Sequence, residues 1–277
     1  MKRIRGQPVG LLNLGNTCFA NATLQSLRAA LLVLQPNDDL FSPFETVAED
    51  NFLVLDPRPA FNVMKMHNET QGFTDNRQHD AHEFFGAMVS VSEEVLGKVT
   101  TGTERTRIVC TQCGNVRTTT QPSVALSVPV PNKESCLHQC IVQYGMSENL
   151  DVAEACGRCG SCSVQLSTRI QRRNAPRILV VHLNRFTPDG KSKNSTPVFI
   201  PRWLNKTCDI CKQQGQSREP YKLVATVHHV GGLGGGHYYA NIELKEEWFE
   251  ANDTSVRRLS SLLEFDASVY LAFYVLN

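Results

Sequence analysis

The sequence predicts an α+β fold, and three observations carry that prediction. Apolar residues recur at helical spacing from about Leu11 to Leu96. From about Arg105 onward they fall instead in short β-branched and aromatic runs, broken by glycine, proline and paired cysteines. A chain of 277 residues with no internal repeat is long enough to bury one sizeable core, so a single domain over 1–277 is expected.

In the helical part, Asn16 or Thr17 is placed to cap a helix carrying Phe19, Leu24, Leu27, Leu31 and Leu34. A second helix is expected after Asn76, with Ala81, Phe84, Phe85, Met88 and Val95 near one face. Strands are expected over Arg177–Phe186, Tyr221–Val230, Gly236–Leu244 and Ala267–Leu276. The Pro/Gly/Lys/Ser stretch from Thr187 to Pro197 suits a surface loop. The acidic stretch from Glu243 to Glu250 suits a hairpin surface.

Lys and Arg number 28 against 27 Asp and Glu, a net charge of +1, which argues against a nucleic-acid binder needing a strong basic excess. The basic run Arg169, Arg172, Arg173 and Arg177 reads as a solvated face on the same ground. No apolar run approaches the 18 or so residues that span a bilayer, so no membrane partner is expected. The N-terminal Met1 to Gly6 is basic but has no apolar secretory segment, so an intracellular protein, cytoplasmic or nuclear, is expected.

The ten cysteines divide by spacing into two chemistries. Cys110/Cys113, Cys156/Cys159 (with Cys162 beyond) and Cys208/Cys211 have the CxxC spacing of metal ligands, and Cys136/Cys140 form a looser pair. Two CxxC pairs supply the four thiolates of a closed tetrahedral zinc site. A second site would join Cys208 and Cys211 to Cys136 and Cys140 or to Cys162. An exposed loop is the simpler reading of Cys208 and Cys211.

Cys18 stands far from any other cysteine, in Gly10-Leu-Leu-Asn-Leu-Gly-Asn-Thr-Cys18-Phe-Ala-Asn21. A Gly/Asn turn delivers it to a helix start, where unpaired N–H groups and the helix dipole favour a thiolate. A thiolate there is a nucleophile for a carbonyl. The same N–H groups, with the Asn13 or Asn16 amide, suit a developing oxyanion. The bland alternative is a buried structural cysteine.

A cysteine nucleophile needs a base. His67, His79, His82 and His138 have no orienting partner close in sequence. His182 lies inside a strand, and His228 and His229 end one. His237 differs: it follows the glycine-rich 231–236 and opens a strand. If that strand forms a hairpin with Trp248–Asp253, Asn252 or Asp253 returns to its end and fixes the imidazole tautomer.

With these segments in view, the chain resembles the ubiquitin-specific proteases over nearly its whole length. Gly10 to Phe19 reproduces the family's cysteine box. Gln78-His-Asp-Ala-His-Glu-Phe84 reproduces its second motif, and Tyr221–Gly231, Gly236-His-Tyr238 and Trp248–Asp253 its histidine box. The resemblance implies a papain-like α+β cysteine protease, with a thumb over 1–100, zinc-bearing fingers over 105–175 and a palm over 176–277. It implies Cys18 as nucleophile, His237 as base, Asn252 as the residue orienting it and Asn13 as oxyanion donor. Asp253 remains a second candidate for the third role. Asp80, Gly236 and Tyr238 are the implied contacts for the tail of ubiquitin, and Cys110, Cys113, Cys156 and Cys159 the implied ligands of one structural zinc. No organic cofactor is expected. Ubiquitin or ubiquitinated proteins are the implied partners of a monomer, with a protease for a ubiquitin-like modifier or a silent scaffold as alternatives.

Overall fold

A computed structural model describes residues 7–36, 40–41, 44–49, 53–67, 70–146, 148–171, 174–187, 192–204, 221–232, 235–263 and 265–276. Cys208, Cys211, Arg172 and Arg173 lie outside the described residues. In chain order the first elements are β1 (Gly10–Leu11), α1 (Cys18–Leu34), β2 (Glu45–Glu49), β3 (Leu53–Asp56), α2 (Arg58–Lys65), α3 (Ala81–Val91) and α4 (Lys98–Thr100). Next come β4 (Gly102–Cys110), β5 (Val116–Ser123), β6 (Leu126–Pro129), β7 (Ser135–Cys136), α5 (Leu137–Tyr144), β8 (Glu148–Asp151) and β9 (Ser163–Ile170). The last are β10 (Ile178–Asn184), β11 (Val198–Phe199), β12 (Tyr221–Gly232), β13 (Gly235–Leu244), β14 (Glu247–Asn252), β15 (Ser255–Leu259), β16 (Phe265–Asp266) and β17 (Val269–Leu276).

A seven-stranded sheet in the order β15-β14-β13-β12-β17-β10-β6 forms the floor of the molecule. Its strands are rich in Val, Ile, Tyr and Phe, and β17 is buried along almost its whole length. Helix α1 packs on β12, β13 and β17 and against α3. It is buried from Cys18 to Leu31, polar residues included, which is the burial of a central helix rather than of a surface one. A separate four-stranded sheet, β5-β4-β9-β8, carries paired cysteines in the turns after β4 and before β9.

Several expectations change at this stage. The stretch read as helical contains two strands, β2 and β3, which pair with each other and, through β3, in parallel with β1. The second helix starts at Ala81, not after Asn76, because Asp80 caps it by accepting from the His82 and Glu83 N–H groups at 2.7 and 3.0 Å. Val95 lies beyond that helix in a π-helical turn and is exposed. Glu243 is no surface residue: it is buried and held by Arg202 at 2.6 Å and Lys222 at 2.7 Å. Cys136 and Cys140 are both fully buried, with the Cys140 thiol 3.9 Å from the Ser135 hydroxyl. Among the described residues no helix is long and apolar enough to cross a membrane.

Candidate active site

The turn before α1 is shaped by one side chain. Asn13 Oδ1 accepts from Gly15 N at 3.0 Å, from Thr17 N at 3.2 Å and from the Thr17 hydroxyl at 3.2 Å. That closure puts Gly15 and Asn16 in the left-handed region, φ 96° and 54°. Thr17 occupies the cap position but does not cap. Its hydroxyl turns back to accept from Leu14 N at 2.9 Å, leaving the first N–H groups of α1 free of a capping side chain.

Cys18, the first residue of α1, is 3% exposed. Its thiol pKa is raised above the ordinary value, first by burial and then by the charge of Asp253. The N–H groups of Tyr238, Phe19 and Cys18 itself pull the other way without prevailing. The helix start therefore supplies donors, as its position predicts, but not a resting thiolate. Ionisation needs a base.

His237 sits on β13 opposite Val230 of β12, beside the Gly231–Gly236 pair. Its Nε2 donates to Asn252 Oδ1 at 2.7 Å, so β13 and β14 join the two residues as the hairpin expectation required. Tyr238, the next residue, directs its N–H at the Cys18 thiol. The strand bearing the histidine thus runs against the start of the helix bearing the cysteine.

Asp253 makes different contacts from Asn252. It turns the β14–β15 hairpin in the left-handed region, φ 50°. Its Oδ2 accepts from Asn13 Nδ2 at 2.8 Å and its Oδ1 from Asn21 Nδ2 at 2.7 Å. Its carbonyl accepts from Leu11 N at 2.8 Å. Gly10 is needed beside this turn because a Cβ there would lie 2.3 Å from the Thr254 carbonyl oxygen.

Asp80 and Gln78, before α3, and Gly236, on β13, hold these two segments together. Asp80 Oδ2 accepts from the Tyr270 hydroxyl and, at 3.5 Å, from that of Tyr238, so Tyr238 is buried with its polar end engaged. Gly236 backs onto His229, whose Nε2 is 2.1 Å from where a Cβ would be. Lys193 donates to His229 Nδ1 at 3.0 Å, and burial together with the Lys193 charge holds that imidazole at about 4, neutral at physiological pH. Gln78 joins the segment before α3 to β13, donating to Gly236 O at 3.0 Å and accepting from Gly236 N at 3.2 Å. The sequence assigns no role to Gln78, which opens the second motif, or to Asn21, two residues past the cysteine box.

The paired cysteines converge. The Sγ atoms of Cys110, Cys113, Cys156 and Cys159 all lie within 4.8 Å of one another, with Cys110–Cys159 at 3.5 Å and Cys113–Cys156 at 3.7 Å. Metal–thiolate bonds of about 2.3 Å in a tetrahedron put sulfurs about 3.8 Å apart, so the quartet fits zinc. Each pair sits in a turn ended by a left-handed glycine, Gly114 and Gly160. The N–H groups of Arg158 and Cys159 draw the Cys156 thiol down to about 6. Among the described residues this is the one group of metal-type ligands, and Cys136 and Cys140 take no part in it.

This fold, with a buried cysteine at a helix start and a hydrogen-bonded histidine–asparagine pair on the strands packed against that helix, has the form of a papain-like cysteine hydrolase. The sequence profile of the ubiquitin carboxyl-terminal hydrolases matches residues 9–274, and the chain belongs to that family. Among curated relatives, ubiquitin carboxyl-terminal hydrolase 17 of Arabidopsis thaliana is 26% identical over 92% of this chain and 40% of its own length. Ubiquitin carboxyl-terminal hydrolase 27 of Homo sapiens is 24% identical over 96% of this chain and 78% of its own length. Among solved structures, a SAGA DUB module containing Ubp8 and bound to monoubiquitin superposes with a TM-score of 0.73 at 24% identity. It is covered over 100% of this chain and 70% of that one. A yeast SAGA DUB module gives 0.71 at 24%, again over 100% of this chain and 70% of that one.

Proposed function

We propose that this chain is a deubiquitinase, hydrolysing the peptide or isopeptide bond at the C-terminal glycine of ubiquitin. The carrying observation is the approach of three distant segments: the Cys18 helix start, the His237 strand, whose Tyr238 N–H is directed at the thiol, and Asn252 at 2.7 Å from the imidazole. Family membership supplies the substrate class.

With its Nε2–H given to Asn252, His237 keeps Nδ1 as the proton acceptor for Cys18. The thiolate adds to the ubiquitin carbonyl. The second N–H of Asn13 and the uncapped N–H groups of α1 receive the oxyanion. As the intermediate collapses, the imidazolium protonates the leaving amine. Water, deprotonated by His237, then attacks the thioester and frees Cys18. Gly236, with no side chain between β13 and the Gln78 loop, suits the close passage of a tail ending in Gly-Gly, near Asp80 and Tyr238.

In this reading 1–100 is the thumb, 105–175 the fingers and 176–277 the palm. Cys110, Cys113, Cys156 and Cys159 hold one structural zinc that closes the tip of the fingers. The test is hydrolysis of a di-ubiquitin panel by the wild type and by Cys18→Ala. Cleavage by the first alone is expected. Cleavage of chains of a ubiquitin-like modifier in place of ubiquitin would move the substrate, and binding without cleavage by the wild type would make the chain a scaffold.

A further inference from the structure

We propose that Asn21 is a positioning residue, acting on the reaction through Asp253 and Asn13 to aim the oxyanion donor. The inference rests on the deubiquitinase reading and deepens it. Asn21 lies in α1 one turn beyond Cys18, at 2% exposure. Its Nδ2 donates to Asp253 Oδ1 at 2.7 Å and to the Leu12 carbonyl at 3.3 Å. Its Oδ1 is buried and has no hydrogen-bond partner. A buried amide that leaves its acceptor unmet is costly, so what the position uses is the two donors.

Those donors complete a clamp on the segment leading to the nucleophile. Leu11 N donates to Asp253 O, Asn21 Nδ2 to Leu12 O, and Asn13 Nδ2 to Asp253 Oδ2. Three consecutive residues are thus fastened to one turn residue and one helical amide. The Asn13 amide is fully specified by this arrangement. Its Oδ1 is taken by the turn, one Nδ2 hydrogen is given to Asp253, and the other hydrogen is left for substrate. The Asp253 charge raises the Cys18 thiol pKa, so it does not favour the thiolate. Its favourable contribution is geometric. Asn21 in turn fixes which way that carboxylate faces, as outer hydrogen bonds fix a catalytic group elsewhere.

The experiment is a double-mutant cycle on Asn21→Ala and Asn13→Ala, using ubiquitin with a C-terminal fluorogenic amide. Asn13→Ala should lower kcat by about 100-fold, as loss of one oxyanion donor does. Asn21→Ala should lower kcat by about tenfold with KM within about twofold, the signature of an interaction made only in the transition state. In the Asn13→Ala background it should cost nothing further. Ubiquitin aldehyde should bind Asn21→Ala more weakly by the same factor as the kcat loss. Alkylation of Cys18 by iodoacetamide, which uses no oxyanion site, should keep its rate. Additive losses, or alkylation falling in parallel, overturn the inference, since Asn21 would then support the helix or the thiol directly. If Asn21→Ala does not fold, the volume-conserving Asn21→Leu, which also removes both donors, enters the same cycle, and additivity there has the same force. A folded wild type that releases no amine from ubiquitin overturns the function itself, an outcome separate from an active wild type with an additive cycle.

Discussion

Removing the Asn252 side chain tests the third catalytic position. In the resting state the 2.7 Å bond to His237 Nε2 fixes the tautomer. When the imidazole takes the Cys18 proton, the same bond becomes charge-assisted. A hydrogen bond to a charged group contributes about 1.5–3 kcal/mol. At about 1.36 kcal/mol per factor of ten, Asn252→Ala should lower kcat/KM by roughly 10- to 150-fold. KM should stay within about twofold, because the contact strengthens only as the imidazolium forms. Asp253 is not placed to compensate: it occupies a left-handed turn and both its carboxylate oxygens accept from Asn13 and Asn21. Asn252→Asp keeps an acceptor and should stay within about fivefold of wild type. The assay is steady-state hydrolysis of ubiquitin with a C-terminal fluorogenic amide, with melting temperatures as a folding control. An Asn252→Ala enzyme as fast as wild type, beside a dead Asp253→Ala enzyme with an intact fold, would refute the reasoning and give the role to Asp253.

Gly236→Ala places a Cβ 2.1 Å from His229 Nε2, and that imidazole is held by Lys193, so β13 must shift at His237. We expect kcat to fall by about tenfold or more, read by the same assay; an unchanged kcat would mean the strand tolerates displacement. Elemental analysis should find one zinc per chain, and Cys113→Ser should lose it together with several degrees of melting temperature. Two equivalents would contradict the single quartet. The pH dependence of Cys18 alkylation in the resting enzyme tests the electrostatics. Burial and the Asp253 charge both raise the thiol pKa, so the rate should climb from neutral toward alkaline pH, and Asp253→Asn should move that rise to lower pH. A rise that moves upward, or does not move, would show that the Asp253 charge does not reach the thiol.

Local motifs made the proposed reacting groups legible. Cys18, His237 and Asn252 each sit in a short segment whose chemistry is written in its neighbours: a Gly/Asn turn, a glycine loop before a strand, and a hairpin return. The strands of the main sheet were readable for the same reason, since β10, β12, β13 and β17 are continuous β-branched and aromatic runs. Features that depend on distant contacts were not. β2 and β3 lie in a stretch of helical periodicity, and β3 gains a parallel partner from β1, which no local pattern announces. The Cys18 thiol pKa follows the desolvation of its tertiary surroundings, although the helix start alone predicts the opposite sign. Which of Asn252 and Asp253 meets His237 was open in the sequence, because adjacent residues at a hairpin end differ only in which way the turn faces them. Asn21 had one signal available: a polar residue one turn from the nucleophile on a helix whose burial leaves it no solvent face.

Cys18 is proposed as the nucleophile toward ubiquitin. Incubation with ubiquitin carrying a C-terminal thiol-reactive group, followed by intact mass and peptide mapping, tests it most directly. One adduct per chain is expected, on Cys18, absent from Cys18→Ala. An adduct on another cysteine such as the exposed Cys162, or none on a folded wild type, would contradict it.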